Sequence, residues 1–216
     1  MEKLLFPSLN CADFDCLKEE VTALDKAGAD GFHLDISDGT IFPQLSMGLR
    51  DLQSVRRNTK KPVDVHLYMS NPSRFVEMFA AEGADIIYVF PEAEPFIALS
   101  LYKIRELRKS PGISVGWGTA VETLTDVLPL VDYVMVNASN PVKKESVLIE
   151  NIYEKVEHLL ELKEKYHFKL LMDGAITPEV ISKASAMGVD GYAMGTGCLF
   201  GWAQDYDSIF QYLRRL

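Results

Sequence analysis

Four residues of the types that bind divalent metals follow short apolar runs that are typical of β-strands. His33 and Asp35 lie in GFHLDISDGT, His66 lies in DVHLYM, and Asp173 lies in LLMDGA. Because side chains alternate along a strand, His33 and Asp35 point the same way. Imidazoles and carboxylates together suit zinc, iron(II), manganese or cobalt better than magnesium or calcium. If the four side chains converge, the sequence predicts one divalent metal per chain.

A structural role is the alternative for each of these residues. A histidine at the end of a strand is more often a satisfied structural group, and an aspartate there is more often a turn or cap residue. Asp38 in SDG is assigned to that second class, in a turn with Gly39. The other four residues favour a metal site, because two of the only four histidines and two aspartates all follow predicted strands.

The elements that must position these residues emerge from an internal repeat. Three segments resemble one another: KAGADGFHLD at 26–35, AEGADIIYVF at 81–90 and AMGVDGYAMG at 186–195. In each, a glycine suited to a helix C-cap precedes an aspartate and a run typical of a buried strand. Extending the pattern predicts eight strands, near 4–9, 32–35, 63–67, 86–90, 113–115, 133–136, 168–172 and 191–194. The predicted helices lie near 14–27, 49–58, 96–108, 146–165 and 205–216, with others beginning near Pro72 (capped by Asn71), Val121 and Pro178 (capped by Thr177).

Eight alternating β-α units in 216 residues predict an α/β fold of the (β/α)8 TIM-barrel type, as a single domain over residues 1–216. A doubly wound open sheet is the alternative, but no Gly-x-Gly-x-x-Gly follows the first strand. In such barrels the chemistry lies at the C-terminal ends of the strands. Ser8, the four metal-binding candidates and the MGTG turn around Gly195 would then share one mouth.

Composition narrows the function classes. A net charge of −9 disfavours nucleic-acid partners. Three cysteines without a Cys-x-x-Cys spacing predict no disulfide framework and fit a cytoplasmic location. No segment approaches the ~20 apolar residues of a membrane span, so we expect no membrane association.

Six motifs, PSLNCADF, HLDISDGTIFP, VDVHLYMSNP, FPEAE, MDGAITPE and MGTGCLF, resemble the ribulose-phosphate 3-epimerase family in order and spacing. The ending GTGCLFGWAQDYD resembles the D-allulose-6-phosphate 3-epimerase branch in particular. The resemblance implies a metal-dependent enzyme that inverts carbon 3 of a ketose phosphate, such as ribulose 5-phosphate or allulose 6-phosphate. It also implies a homo-oligomer, since barrels of this family are often dimers or larger.

The same resemblance assigns site residues. Its metal ligands fall on His33, Asp35, His66 and Asp173, and its acid/base pair falls on Asp35 and Asp173. Ser8 and His66 fall on positions that bind substrate near the metal. Phosphate is expected at the loops after the last two strands, where the backbone amides of Gly174, Ala175, Gly195 and Thr196 and a short helix after Gly195 could hold it. Plain turn geometry is the alternative for these glycines.

Other positions depart from the family pattern. The family loop after the sixth strand is glycine-rich, whereas this chain has NPVKKES at 140–146, where Lys143 or Lys144 could replace amide contacts. The family pattern has methionines around the metal, whereas this chain has Ser37, Tyr68 and Asn137 at the corresponding positions. These departures predict that the chain is a divergent relative of the family that acts on a different sugar. Two alternatives remain. One is a related decarboxylase or aldolase, which is disfavoured because this chain has Ser37 where those enzymes have lysine. The other is a catalytically silent sugar-phosphate-binding module.

Overall fold

The chain folds into a closed barrel of parallel strands, as seen in a computed structural model that describes residues 3–139 and 147–216. The eight strands are hydrogen-bonded in the order β1-β8-β7-β6-β5-β4-β3-β2, and a parallel bridge between Ser8 and His33 joins the two ends. This confirms the predicted (β/α)8 barrel. The strands are β1 Leu4–Pro7, β2 Phe32–Ser37, β3 Val63–Tyr68, β4 Ile86–Val89, β5 Ser110–Val115, β6 Tyr133–Asn137, β7 Lys169–Asp173 and β8 Gly191–Met194.

Seven α-helices surround the strands within the described ranges: α1 Leu17–Lys26, α2 Leu49–Asn58, α3 Val76–Ala81, α4 Ile97–Glu106, α5 Ile152–Tyr166, α6 Pro178–Met187 and α7 Tyr206–Arg215. Thr177 caps α6 as predicted, because its side chain accepts a hydrogen bond from the Val180 backbone. No helix in the described part of the chain has the length and apolar character needed to cross a bilayer.

Two predicted elements were wrong in detail. β1 ends at Pro7, and Leu9–Cys11 forms a 3-10 turn instead of more strand. The helix predicted from Val121 is replaced by the 3-10 helices Val121–Leu124 and Leu128–Leu130. Its sequence, VETLTDVLPLV, carries β-branched residues and Pro129, which disfavour a continuous α-helix.

The segment before α3 also differs from the prediction. Asn71 has a left-handed backbone with φ of +52° and makes no capping hydrogen bond through its side chain among the described residues. The residue before a proline avoids the right-handed helical region, and asparagine tolerates the left-handed one. The long helix predicted from Ser146 begins at Ile152, and residues 140–146, including Lys143 and Lys144, lie outside the described residues.

The three repeated glycine-aspartate segments tie helices to the start of strands. Gly28, Gly83 and Gly188 all have positive φ, at +102°, +107° and +114°, as a glycine following a helix requires. The aspartate two residues later accepts a backbone N–H from a neighbouring strand in each case: Asp30 from Leu5 at 2.8 Å, Asp85 from Val63 at 3.0 Å, and Asp190 from Leu170 at 2.7 Å. Each carboxylate also forms an ion pair: Asp30 with Arg214, Asp85 with Arg56, and Asp190 with Lys163.

The strands alternate between the helical layer and the barrel interior. Phe32, Leu34 and Ile36 of β2 pack in the main core with the helices, so His33 and Asp35 face inward. A second apolar cluster, which fills the barrel beneath them, contains Phe6, Ile86, Tyr88, Met135 and Leu171. Gly112 of β5 makes room for Tyr88, because a Cβ at Gly112 would lie 2.4 Å from that ring. The lower part of the barrel is therefore a mainly apolar packed core, and His33 and Asp35 lie above it.

We expect Asp190→Ala to destabilise the barrel, because it leaves the Leu170 N–H without its acceptor and Lys163 without its ion-pair partner. The free energy of unfolding should fall by ~1–3 kcal/mol, the usual cost of such a loss. Urea denaturation followed by circular dichroism measures this, with Asp126→Ala, a substitution at an exposed aspartate, as the matched control. Equal midpoints for the two variants would contradict the assigned role of Asp190.

Candidate metal centre and active site

The four predicted metal-binding residues converge at the C-terminal end of the barrel. One ligand atom from each of His33, Asp35, His66 and Asp173 can be chosen so that all four lie within 4.8 Å of one another. Asp35 of β2 pairs in register with His66 of the adjacent β3, while Asp173 reaches the same point from β7. Sequence positions far apart thus form one compact cluster.

The ring of His33 is held from behind by a carboxylate. Its Nδ1 lies 2.6 Å from Oδ1 of Asp64, and both side chains are fully buried. Its Nε2 faces the cluster, 3.0 Å from Asp35 Oδ1 and 3.9 Å from Asp173 Oδ2. Because Asp64 accepts the Nδ1 proton, a neutral His33 ring carries its lone pair on Nε2. This lone pair points to the centre of the cluster, where a metal could accept it.

His66 has the mirror arrangement. Its Nε2 lies 2.7 Å from the hydroxyl oxygen of Ser114. Its Nδ1 faces the cluster, 3.5 Å from Asp35 Oδ1 and 3.7 Å from Asp173 Oδ2. This Nδ1 is a buried atom with no hydrogen-bond partner among the described residues. A buried nitrogen aimed at two carboxylates without a hydrogen bond is the arrangement expected of a metal ligand.

The donor set therefore fits a divalent cation. Two nitrogens and two carboxylate oxygens point at a common centre, and the other nitrogen of each histidine is held by a hydrogen-bonding neighbour. Metal-ligating histidines show this second hydrogen bond almost always. Mixed nitrogen and oxygen donors match zinc, iron(II), manganese or cobalt.

The electrostatics of the cluster also favour a cation. Burial alone would lower the pKa of His33, but the carboxylates of Asp64 and Asp35 outweigh it and raise that pKa well above its usual value. Burial alone would raise the pKa of Asp35, but the imidazole of His33, and then that of His66, hold it far below its usual value. The carboxylates thus draw positive charge into the centre, and a metal ion would supply that charge in place of protons.

A cavity of about 1010 Å³ opens above the cluster, and both Asp35 and Asp173 line it. Their side chains are 18% and 15% exposed, whereas those of His33 and His66 are fully buried. The carboxylates therefore reach the cavity and the imidazoles lie behind them. Ser8 also lines the cavity, and its hydroxyl donates to Asp35 Oδ2 at 3.3 Å.

The loops predicted to bind phosphate line the same cavity, including Gly174, Ala175, Gly195 and Thr196. Gly174 and Ala175 both have positive φ, at +81° and +54°. The short helix expected after Gly195 is wrong. The backbone N–H groups of residues 198, 199 and 200 all donate to the Gly195 carbonyl, which makes a tight turn instead of a helical ladder. A phosphate there would meet turn amides without a helix dipole.

Two residues of the site were not identified from the sequence. Asp64 supports His33, and Ser114 supports His66, yet both lie inside strands that read as apolar runs. Asp64 precedes His66 by two residues in VDVHLY, so strand alternation alone would have placed both side chains on the inner face. For Ser114 the only signal is an isolated hydroxyl between Ile113 and Val115 in a strand buried along that stretch.

Three positions that were predicted to depart from the family pattern, Ser37, Tyr68 and Asn137, line the cavity. Phe90 lines it too, as do Gly116, Trp117 and Gly118 of the loop after β5. Phe90 stacks on the His66 ring with centroids 5.1 Å apart. Asp38, in contrast, accepts hydrogen bonds from the Thr40 backbone and hydroxyl, which confirms its assignment to a turn.

Comparison with known proteins identifies the family of the chain. The sequence model described as the ribulose-phosphate 3 epimerase family matches residues 4–199. The chain belongs to this family. The ribulose-phosphate 3-epimerase of Aquifex aeolicus (strain VF5) is 31% identical over 216 residues, which cover 99% of this chain and 96% of that protein. The enzyme of the same name from Treponema pallidum (strain Nichols) is 34% identical, with 91% of each chain covered.

Family membership confirms the resemblance to the ribulose-phosphate 3-epimerase family and the prediction that the chain is an epimerase. Solved structures with similar folds are more distant in sequence. The crystal structure of KGPDC from Streptococcus mutans matches 100% of this chain and 99% of its own with a TM-score of 0.74 and 12% identity. A mutant tryptophan synthase alpha-subunit from Pyrococcus furiosus matches with a TM-score of 0.69 and 17% identity, covering 100% of this chain and 97% of its own. These two similarities concern the barrel fold alone.

We expect Asp64→Asn to weaken metal binding by about 10- to 100-fold, the usual effect of losing a carboxylate behind a ligating histidine. Competition between the protein and a chromophoric chelator for zinc measures the affinity. His33→Ala should abolish tight binding, and Asp126→Asn, at an exposed aspartate, should leave it unchanged. Wild-type affinity in a folded Asp64→Asn variant would contradict the role assigned to Asp64.

Proposed function

We propose that the chain inverts carbon 3 of a ketose phosphate, with Asp35 and Asp173 as its two acid/base groups. The observation that carries this proposal is the placement of two carboxylates on the floor of one cavity, both within 4.8 Å of two imidazoles that face them. Inversion at a carbon needs one group to remove a proton from one face and another to return a proton to the opposite face. Asp35 and Asp173 come from β2 and β7, so they approach a bound sugar from different sides of the barrel mouth.

The proton at carbon 3 is next to a ketone and is too weakly acidic to leave unaided. A divalent metal held by His33, Asp35, His66 and Asp173 would supply a Lewis acid that stabilises negative charge on the substrate oxygens. His33 and His66 would contribute neutral nitrogens, oriented by Asp64 and Ser114. Zinc, iron(II), manganese and cobalt all suit this set, and the choice among them stays open.

In Asp35, one carboxylate oxygen could bind the metal while the other transfers the proton. Oδ1 faces both imidazoles, at 3.0 Å from His33 Nε2 and 3.5 Å from His66 Nδ1. Oδ2 accepts the Ser8 hydroxyl at 3.3 Å instead. In Asp173 it is Oδ2 that faces the imidazoles, which leaves Oδ1 for substrate. We infer that protons pass through Asp35 Oδ2 and Asp173 Oδ1, with Ser8 steadying the former.

The substrate is proposed to be a pentulose 5-phosphate or a hexulose 6-phosphate such as allulose 6-phosphate. The curated relatives are named as ribulose-phosphate 3-epimerases, whereas the GTGCLFGWAQDYD ending favours the hexulose. Phosphate is proposed to bind at the loops that carry Gly174, Ala175, Gly195 and Thr196, which line the cavity opposite Tyr68 of β3 and Phe90, the residue after β4. The predicted substrate contact of His66, the homo-oligomeric state, and the absence of nucleic-acid and membrane partners stay predictions.

Other functions on this barrel have less support. A decarboxylase or aldolase of the related kind would need a lysine where this chain has Ser37, whose hydroxyl is used to donate to the Gln44 carbonyl at 2.7 Å. A silent sugar-phosphate-binding module would not need two cavity-facing carboxylates beside two buried imidazoles. The silent module predicts that the carbon 3 proton never exchanges with solvent, and neither alternative predicts formation of the 3-epimer.

We expect the metal-loaded protein to incorporate deuterium at carbon 3 of its substrate in D2O while forming the epimer. Asp35→Asn and Asp173→Asn should each reduce epimerisation by about 10²- to 10⁴-fold, the usual contribution of a general acid or base. Each variant should still exchange the carbon 3 proton of the one epimer whose base remains. A panel of pentulose and hexulose phosphates followed by NMR measures both quantities and ranks the sugars.

Metal content, determined on the same preparations, separates loss of acid/base function from loss of the metal, and Asp126→Asn is the matched control. Absence of carbon 3 exchange with every sugar phosphate of the panel would contradict the proposed function. Near-normal epimerisation by either active-site variant would remove that aspartate from its role.

A further inference from the structure

A lysine on α5 binds three backbone carbonyls of the loop that follows β5, residues 116–119, which we call the β5 loop. The Lys155 ammonium donates to the carbonyl oxygens of Gly116 at 2.6 Å, Trp117 at 2.9 Å and Thr119 at 2.9 Å. An ammonium group has three N–H donors, and all three have an acceptor within this one stretch of four residues. The β5 loop is therefore folded around the Lys155 ammonium.

A second contact anchors the same loop to the segment that follows β4. The side chain of Thr119 is buried. Its hydroxyl oxygen accepts the Gly116 N–H at 3.1 Å, and the hydroxyl donates to the Glu92 carboxylate at 2.5 Å. Burial lowers the pKa of Lys155, because its ammonium has lost part of its hydration, and the loop carbonyls take the place of that water. The β5 loop is thus held by a cation from one element and a carboxylate from another.

Trp117 is the residue that this arrangement presents to the cavity. It lies between Gly116 and Gly118, and all three residues line the cavity. Glycine leaves the backbone conformationally free, so the chain on both sides of Trp117 depends on Lys155 and Thr119 for its order. Trp117 is 51% exposed. A half-exposed tryptophan that lines a cavity and has an anchored backbone is suited to contact a ligand.

The chemistry of the ring and its place in the barrel indicate which part of a ligand it would contact. The loops proposed to bind phosphate follow β7 and β8, and β5 lies two and three strands away from these strands in the sheet. The face of an aromatic ring carries partial negative charge, so it disfavours a phosphate and attracts the weakly positive hydrogens of C–H bonds. With phosphate at the β7 and β8 loops, Trp117 would face the carbon chain of the sugar.

We propose that Trp117 is a substrate-binding residue whose ring packs on the C–H bonds of the sugar chain, and that Lys155 is the positioning residue for this ring. The contact involves carbons that do not react, so it stabilises the bound substrate and the transition state equally. Such a contact lowers KM and leaves kcat unchanged. The substrate contact rests on the proposed function, whereas the anchoring of Trp117 by Lys155 does not.

Steady-state kinetics tests the substrate contact, with the sugar phosphate that the wild type epimerises best. Trp117→Ala should raise KM by about 10-fold, the effect of losing one aromatic contact, with kcat within about two-fold of the wild type. Trp117→Phe keeps an aromatic ring and should restore most of the affinity. Lys155→Met should raise KM several-fold, because an unanchored ring has to be ordered when substrate binds. Lys18→Met, at an exposed lysine of α1, is the matched control and should behave like the wild type.

Fluorescence tests the anchoring without activity. Trp117 and Trp202 are the two tryptophans of the chain, so in a Trp202→Phe background all tryptophan emission comes from Trp117. In that background Lys155→Met should speed the local component of the time-resolved anisotropy decay, whereas Lys18→Met should not. If Lys155→Met does not fold, Thr119→Val, which removes the hydroxyl that anchors the loop to Glu92, should produce the same faster decay. Addition of the sugar phosphate should shift the Trp117 emission of the Trp202→Phe protein.

The two halves of the inference fail separately. Trp117→Ala with the KM of the wild type, or a Trp117 emission that saturating sugar phosphate leaves unchanged, would overturn the substrate contact. An anisotropy decay unaffected by the loss of Lys155 would overturn its positioning role, even if that variant is less stable. A wild-type protein that epimerises no sugar phosphate would instead refute the proposed function, and with it the substrate contact. The anisotropy of Trp117 would still decide whether Lys155 anchors it.

Discussion

The hydrogen bond between His33 and the buried carboxylate of Asp64 is the contact on which the rest of the site depends. Both side chains are fully buried, and an unpaired charge at this depth would cost several kcal/mol. The bond satisfies one oxygen of Asp64 and fixes which nitrogen of His33 faces the cavity. The apolar cluster around Phe6, Tyr88 and Leu171 closes the barrel from below. A ligand therefore reaches the polar groups of the site from the upper mouth.

Much of the fold and of the central cluster could be predicted from the sequence, because both follow from periodic patterns. The repeated glycine-aspartate segments revealed the β-α units, and strand alternation placed His33 and Asp35 on one face. The support behind His66 was harder to predict. Ser114 lies on a different strand from His66, and only the curvature of the barrel brings the two side chains within hydrogen-bond distance. A lone serine in a buried strand has no spacing that distinguishes it from a packing residue.

Local chemistry explains the errors in the prediction. The segment after β5 was expected to be helical because the other units contain a helix, and the short helix after Gly195 was expected as part of a phosphate site. Local chemistry decided otherwise, through Pro129 and the β-branched residues in one case and through Gly197 in the other. A Cβ at residue 197 would lie 2.4 Å from the Ile176 carbonyl oxygen, so this turn is built for close contact between two loops. Repeats predict the average unit and miss the units that deviate from it.

The carboxylates of Asp30, Asp85 and Asp190 bind the beginnings of β1, β3 and β7, at the rim opposite to the cavity. The residues that hold the strands in register thus lie at the opposite end of the barrel from the residues that line the cavity. Substitutions at cavity-lining positions, such as Ser37, Tyr68 and Asn137, can then accumulate without loosening the scaffold. This separation gives a lineage of such barrels room to acquire new sugars.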